Sequence, residues 1–204
     1  MKVKIFLIVM LVVLSLAFQD TRCQAGVATD LVRTMLKEVM TIQTDPKLQG
    51  HEFRNTRRAV IKKIIAENFY FDEMAKQSLS QHWEELSGTK RSEFKAIFQD
   101  LFQDSYTRLV LDFLRQEKIL YTKEDIRPNQ AMVKTTILRM NEEIPVDYLL
   151  SRVEEKWLVH DVKIDSVSII ENYKKSFSRV IKQESYESLL RKMRIQQQAI
   201  EKPL

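Results

Sequence analysis

The polar residues that could carry chemistry are few and widely separated in this sequence. The three histidines, His51, His82 and His160, fall in different segments, and none has a second His or a Cys at the spacing of a metal-ligand motif. His160 and Asp161 are neighbours in a segment with strand periodicity, so their side chains point to opposite faces and cannot form a dyad. A dyad between Asp147 and His160 stays open, because their strands could pair. We predict no metal-binding and no catalytic residues.

Glycine content and net charge argue against further classes of protein. The chain has only 3 glycines, too few for a phosphate-binding loop or a dinucleotide-binding turn. It carries 33 Lys and Arg against 28 Asp and Glu, a balance without the concentrated positive charge of a nucleic-acid binder. We therefore expect no nucleic-acid partner and look to apolar surface for the function.

Residues 1–25 have the layout of a secretory signal peptide. Two lysines precede an apolar run over residues 5–18, which is shorter than the roughly 20 residues of a membrane-spanning helix. We expect cleavage after Ala25, and an uncleaved membrane anchor is the alternative. Cleavage would remove Cys23, the only cysteine. Residues 26–204 are then expected to form a single domain that is stabilised by burial alone.

The mature chain changes its hydrophobic period twice. Apolar residues at steps of three and four predict helices over 28–114, including a long helix with an aromatic stripe, and again over 167–200. Between 117 and 165 the period is two, with turn residues at short intervals, which predicts about four antiparallel strands. The predicted fold is α+β: N-terminal helices and a long aromatic helix packed on a curved antiparallel sheet, followed by C-terminal helices.

The stretch IPVDYLLSRVEEKWLVHDVKIDSVSIIENYKKSF, residues 144–177, passes from the strand period to the helical period. Alternation on the fourth strand places Trp157 and Val159 on one face. It places Val162 and Ile164 on the other face.

This stretch, the earlier motif FDEMAKQSL and the aromatic helix between them together resemble the MlaC family, the periplasmic phospholipid carriers of the Mla pathway, also called the toluene-tolerance family. The resemblance covers roughly residues 30–195. Ser166 stands where the family usually has Gly, and Lys174 where Arg is common. The positions that match the family pattern in the stretch are Ile144, Val146, Tyr148, Trp157, Val159, Asp161, Val162, Val167, Ser168, Asn172, Tyr173, Lys174 and Phe177.

The resemblance implies a nuclear-transport-factor-like curved sheet and a hollow core that accepts lipid acyl chains. It also implies a protein of the periplasm that shuttles phospholipid between an inner-membrane ABC transporter complex with its substrate-binding ring and an outer-membrane lipoprotein–porin complex. Such a carrier maintains the lipid asymmetry of the outer membrane. We expect a monomer that uses no cofactor and binds phospholipid as cargo.

Two sets of residues follow as expectations for the site. The residues expected to line the apolar cleft are Phe98, Phe102, Tyr106, Val133, Ile137, Val146, Tyr148, Leu150, Trp157, Val159, Val162, Ile169, Tyr173 and Phe177. The basic residues expected at the cleft mouth or in docking are Arg54, Arg57, Arg58, Lys62, Lys174 and Lys175. Because no cluster of cations falls among the cleft positions, the lipid head group is expected to stay near the surface and to be read loosely.

Two other functions remain alternatives to a lipid carrier. One is a small hydrolase or isomerase on a cone-shaped sheet that uses Asp147 and His160. The other is a structural adaptor, which would have a well-filled core and no extractable ligand.

Overall fold

The computed structural model describes residues 26–201; the predicted signal peptide lies outside these residues. The described chain forms five helices, then five strands, then two helices. The helices are α1 (Val27–Thr44), α2 (Arg54–Asn68), α3 (Phe71–Leu79), α4 (Gln81–Glu84), α5 (Gly88–Phe113), α6 (Ile169–Gln183) and α7 (Tyr186–Glu201), with a short 3-10 helix at Pro46–Leu48. The strands are β1 (Lys118–Arg127), β2 (Gln130–Arg139), β3 (Glu142–Val153), β4 (Lys156–Ile164) and β5 (Val167–Ser168). Over this part of the chain, none of the helices is long and apolar enough to cross a membrane.

The strands form one antiparallel sheet in the order β1-β2-β3-β4-β5, with each strand paired to its neighbours in sequence. Short turns connect them, as expected for antiparallel strands. The predicted α+β fold is therefore confirmed. The prediction of about four strands missed β5, because a strand of only two residues is too short to show an alternation.

A β-bulge in β4 changes which residues face the core. Tyr148 pairs with Val162 and Leu150 pairs with Val159, so β4 has one residue more than β3 between these pairs, and the extra residue is His160. Val159 and Val162 therefore lie on the same face of the sheet. The predicted alternation, which put them on opposite faces, is wrong beyond the bulge.

Asp161 joins the end of the sheet to the first turn of α6. Its buried carboxylate accepts hydrogen bonds from the Ser168 hydroxyl at 2.6 Å and from the Ile170 backbone N–H at 3.1 Å. Ser168 is in turn the N-cap of α6, because its hydroxyl accepts from the Glu171 backbone N–H at 3.0 Å. The negative charge of this carboxylate also interacts favourably with the positive end of the helix dipole. Asp161 and Ser168 thus have a structural role that explains their place in the motif.

The turn between β4 and β5 uses the left-handed backbone conformation that glycine favours. Asp165 and Ser166 have φ of 50° and 67°. The family's usual glycine suits this turn, and Ser166 adopts the same conformation at a steric cost of about 1 kcal/mol.

The closed core is built around the first five turns of α5. Phe94, Phe98 and Phe102 are at most 1% exposed and stack along the helix, with ring centroids about 6 Å apart. Helices α3, α6 and α7 cover them; Phe177 of α6 meets Phe94 edge-to-face at 5.9 Å. This part of the aromatic stripe is a solid core.

The C-terminal end of α5 is hydrogen-bonded to the side-chain amide of a single residue of α1. The buried Gln43 side chain donates hydrogen bonds to the backbone carbonyls of Val110, Leu111 and Leu114 at 3.0–3.2 Å. The carbonyls of Leu111 and Leu114 come after the last acceptor that is paired within the helix, the Val110 carbonyl, which also accepts from the Leu114 N–H at 3.0 Å. Gln43 thereby sets the position of the last turns of α5 relative to α1.

Candidate functional site

An apolar cavity lies between α1, the last turns of α5 and the inner face of β2, β3 and β4. Its volume is about 270 Å³. All but one of the residues around it are aliphatic, aromatic or Met. Its walls are formed by Met35, Leu36, Val39, Ile65, Phe69, Tyr106, Leu109, Val110, Phe113, Leu114, Ile137, Arg139, Ile144, Val146, Tyr148, Val162 and Ile164.

The inner end of the cavity is closed by aromatic rings that belong to the core. Phe69 contacts Phe102, with ring centroids 5.6 Å apart, and Tyr106 stacks on Phe102 at 4.0 Å. Burial raises the pKa of the Tyr106 and Tyr148 hydroxyls above their usual value, so both phenols stay neutral. The inner end of the cavity is therefore uncharged and suited to hydrocarbon.

The outer end of the cavity is open to solvent between α5 and the β2–β3 turn. Leu109 and Phe113 line the cavity and are 38% and 52% exposed. Met140, in the turn after β2, is 98% exposed. The Arg139 guanidinium lies over the Phe113 ring, 5.2 Å from its centroid. This arrangement defines a mouth with an apolar rim and one cation.

The fourteen residues predicted to line the cleft fall into two groups. Five lie on the cavity wall: Tyr106, Ile137, Val146, Tyr148 and Val162. Nine lie in the core away from the cavity: Phe98, Phe102, Val133, Leu150, Trp157, Val159, Ile169, Tyr173 and Phe177. These nine do not line the cavity in this structure, where other elements, chiefly α3, α6 and α7, cover that part of the molecule, and a contact with bound lipid stays a prediction for them.

Twelve wall residues were not predicted: Met35, Leu36, Val39, Ile65, Phe69, Leu109, Val110, Phe113, Leu114, Ile144, Ile164 and Arg139. The apolar face of α1 was visible in the sequence, but its periodicity does not distinguish a wall from a closed core. Arg139 gave no signal, since a charge next to a turn usually points into solvent. The wall indeed has no cluster of cations, but it has this single one.

Most of the basic residues predicted for docking form ion pairs or hydrogen bonds within the protein. Arg54 pairs with Asp112 at 3.0 Å. Arg57 donates to the backbone carbonyls of Leu48 and Gly50. These two arginines fix the N-terminal end of α2 to its surroundings.

The next two basic residues of α2 share one buried carboxylate. Arg58 and Lys62 lie 3.2 and 3.0 Å from the same oxygen of Asp104 on α5, whose side chain is 2% exposed. Lys174 lies 3.4 Å from Glu171, and Lys175 is exposed. A role in docking stays a prediction for all six, and a test must separate it from these structural contacts.

The alternative dyad of Asp147 and His160 is not formed. Asp147 pairs in register with Lys134 and Lys163, three positions along β4 from His160. The His160 Nδ1 atom lies 3.0 Å from the Ser151 hydroxyl instead. Burial lowers the pKa of His160, although Asp161 and Glu73 oppose that shift. No described carboxylate is hydrogen-bonded to His160, so the geometry gives no support to this catalytic alternative.

Comparisons with known proteins bear on the family and on the fold. The model of the family described as MlaC protein matches residues 33–195. Among solved structures, the fold is similar to a phospholipid-binding protein from Ralstonia solanacearum, which was solved in complex with a phospholipid. The TM-score is 0.71 at 19% identity, over 85% of this chain and 98% of that chain. No curated protein matches the sequence. Because the family model matches most of the length of this chain, the chain belongs to the MlaC family.

Proposed function

We propose that this protein is a periplasmic phospholipid carrier that binds acyl chains in the apolar cavity. The observation that carries the proposal is the composition of the cavity: sixteen of its seventeen wall residues are apolar or aromatic, and its mouth is open. A pocket with so few polar groups offers little for reaction chemistry but matches hydrocarbon well. The similar Ralstonia protein, which was solved with a phospholipid bound, supports phospholipid as the cargo.

The cavity volume bears on how much lipid is enclosed. About 270 Å³ lies at the lower end of the range for small-molecule sites, which is about 300–1,000 Å³. Two acyl chains of ordinary length need more space than this. We therefore expect the walls to separate on loading, with the last turns of α5 moving away from the sheet, because Leu109 and Phe113 in these turns are 38% and 52% exposed.

The energetics of lipid transfer explain why the carrier must dock. At about 0.8 kcal/mol per buried methylene, two ordinary acyl chains hold more than about 20 kcal/mol of transfer free energy. This exceeds the practical limit of noncovalent affinity, so both chains must be shielded at every stage and release into water would be very slow. Lipid must pass directly between this cavity and a partner. The partners we propose are the inner-membrane ABC transporter complex and the outer-membrane lipoprotein–porin complex of the Mla pathway, which together would maintain outer-membrane asymmetry.

The direct test is to identify what the protein carries. The mature protein is purified from the periplasm without detergent, extracted with organic solvent and analysed by mass spectrometry. We expect about one phospholipid per protein. A matched variant, Ile137→Asp, places a charge on the cavity wall, and we expect it to fold but to contain little lipid.

A second measurement follows transfer of a fluorescent phospholipid between vesicles in the presence of the protein. Transfer should require the protein and should fall with Ile137→Asp. If the purified protein contains no lipid and transfers none, the carrier proposal is wrong and a structural adaptor becomes the better interpretation.

A further inference from the structure

Arg139 is the one charged side chain among the described residues that line the cavity. It is the last residue of β2, and its side chain is half-buried at the mouth. The guanidinium lies over the ring of Phe113, 5.2 Å from the centroid, so the aromatic face holds it at the edge of the opening. A cation in an otherwise apolar wall has a desolvation cost, which calls for a physical explanation.

Within residues 26–201 no carboxylate forms an ion pair with Arg139, in contrast to two arginines of the neighbouring helix α2. Arg54 and Arg58 each form an ion pair with an aspartate of α5. Glu142 is the register partner of Arg139 across the β2–β3 turn, yet it forms no ion pair with Arg139. The hydrogen-bond donors of this guanidinium are therefore available to a ligand at the mouth.

The chemistry of the guanidinium identifies the ligand group. Its planar fork of N–H donors fits a phosphate in a bidentate manner, and it can keep its contact with an aromatic face while its edge donates. A phospholipid whose acyl chains fill the apolar cavity must place its phosphate where the cavity opens, which is beside Arg139. We infer that Arg139 is the phosphate-binding residue for the lipid at the cavity mouth. This inference rests on the proposed function.

Recognition by Arg139 would be selective for the phosphate and indifferent to the alcohol beyond it. Phosphatidylethanolamine and phosphatidylglycerol carry the same phosphate, so we expect their affinities to differ by less than about tenfold. Diacylglycerol has the same acyl chains without the phosphate. It should bind about tenfold more weakly than phosphatidylglycerol, which corresponds to about 1.4 kcal/mol.

The experiment compares these lipids in the full mature protein. Phosphatidylglycerol and diacylglycerol with identical acyl chains are supplied from micelles of a sugar-based detergent, which contains no phosphate. Each competes with a fluorescent lipid in wild type and in the variants Arg139→Gln and Arg139→Lys. Arg127→Gln is the matched control, because Arg127 is exposed and lies next to the opposite end of β2, roughly 30 Å away at about 3.3 Å per residue.

We expect Arg139→Gln to weaken phosphatidylglycerol binding about tenfold and to leave diacylglycerol binding unchanged. Arg139→Lys should recover part of the loss, and Arg127→Gln should behave as wild type. The inference is overturned if Arg139→Gln leaves the affinity for phosphatidylglycerol intact, or if it weakens both lipids equally, since an equal loss means a structural role. If wild type binds neither lipid, the proposed function itself fails.

Discussion

Helix α5 passes through two regions of the same chemical character and different physical state. In its first five turns, Phe94, Phe98 and Phe102 are enclosed by other helices and almost inaccessible to solvent. In its last turns, Leu109 and Phe113 are partly exposed and face a cavity. The side chains of both regions are large and apolar. What differs is the number of elements that cover them, so the same kind of residue serves stability in one region and is available to a ligand in the other.

The largest difference between the two regions should appear when a charge is placed in each of them. Val159→Asp puts a carboxylate into the closed core, where Val159 is 0% exposed, and should prevent folding because the charge has no partner and no water. Ile137→Asp puts the same group on the cavity wall, half-buried and next to the opening. That variant should fold with a modest loss of stability and lose its lipid. Circular dichroism on heating and lipid content per protein are the measurements.

Both variants unfolding would mean that the cavity behaves as core. Both retaining lipid would mean that the cargo lies elsewhere.

Removing one aromatic ring from each region should sharpen the difference in numbers. Phe98→Ala deletes a ring that is 0% exposed and should lower the free energy of unfolding by about 3–5 kcal/mol. Phe113→Ala deletes a ring that is 52% exposed, and the loss should be under about 1 kcal/mol. Urea denaturation of the lipid-free proteins gives both values. Similar losses for the two variants would show that the last turns of α5 are as well covered as the first.

The buried carboxylate of Asp104 should matter for stability without affecting lipid carriage. Asp104→Asn removes the charge that Arg58 and Lys62 share, and we expect a loss of about 1–3 kcal/mol. Asp112→Asn is the matched control, because the ion pair of Asp112 with Arg54 is exposed and should contribute less than about 1 kcal/mol. Urea denaturation and the vesicle transfer assay are compared. A drop in transfer at unchanged stability would instead favour a docking role for these cations.

The smallest effect should come from pH, through His160 on the sheet face that points away from the cavity. Burial lowers the pKa of His160 below the unfolded value of 6.5, so the unfolded chain takes up the proton more readily. Its contribution to stability is complete above pH 6.5 and is lost as the pH falls through the lower folded value. Wild type should therefore lose more stability than His160→Asn between pH 7.5 and 5.5. Equal slopes would exclude His160 as the cause, and lipid content should not change with this substitution.

The sequence predicted the fold well because periodicity reports it directly. The alternation between residues 117 and 165, with turn residues between runs, revealed the meander of β2 to β4, and the steps of four from Phe94 revealed the long helix. The bulge at His160 escaped prediction, because the shift of phase between Val159 and Val162 was interpreted as a change of face. That single residue decides whether Val162 faces the cavity.

The site was predicted less well, and the reason is physical. Phe98 and Phe113 have the same hydrophobic character, and only tertiary packing covers the first and exposes the second. Arg139 likewise resembles an ordinary solvated charge until Phe113 is brought beside it by the end of α5. Helical and strand periods show which face of an element is apolar. A cavity forms where two apolar faces do not pack in contact, and no local sequence pattern shows that.

The Asp161 carboxylate bears on the order in which the molecule assembles. Its hydrogen bonds to Ser168 and Ile170 join residues 7 and 9 positions apart, so little chain entropy is lost in forming this corner. The cavity wall, by contrast, includes Leu36 and Val162, which are more than a hundred residues apart in the sequence. The corner of β4 and α6 should therefore form early and the cavity late. The wall that we expect to form last in folding is the same wall that we propose to separate when lipid enters, so loading would reverse the final step of folding.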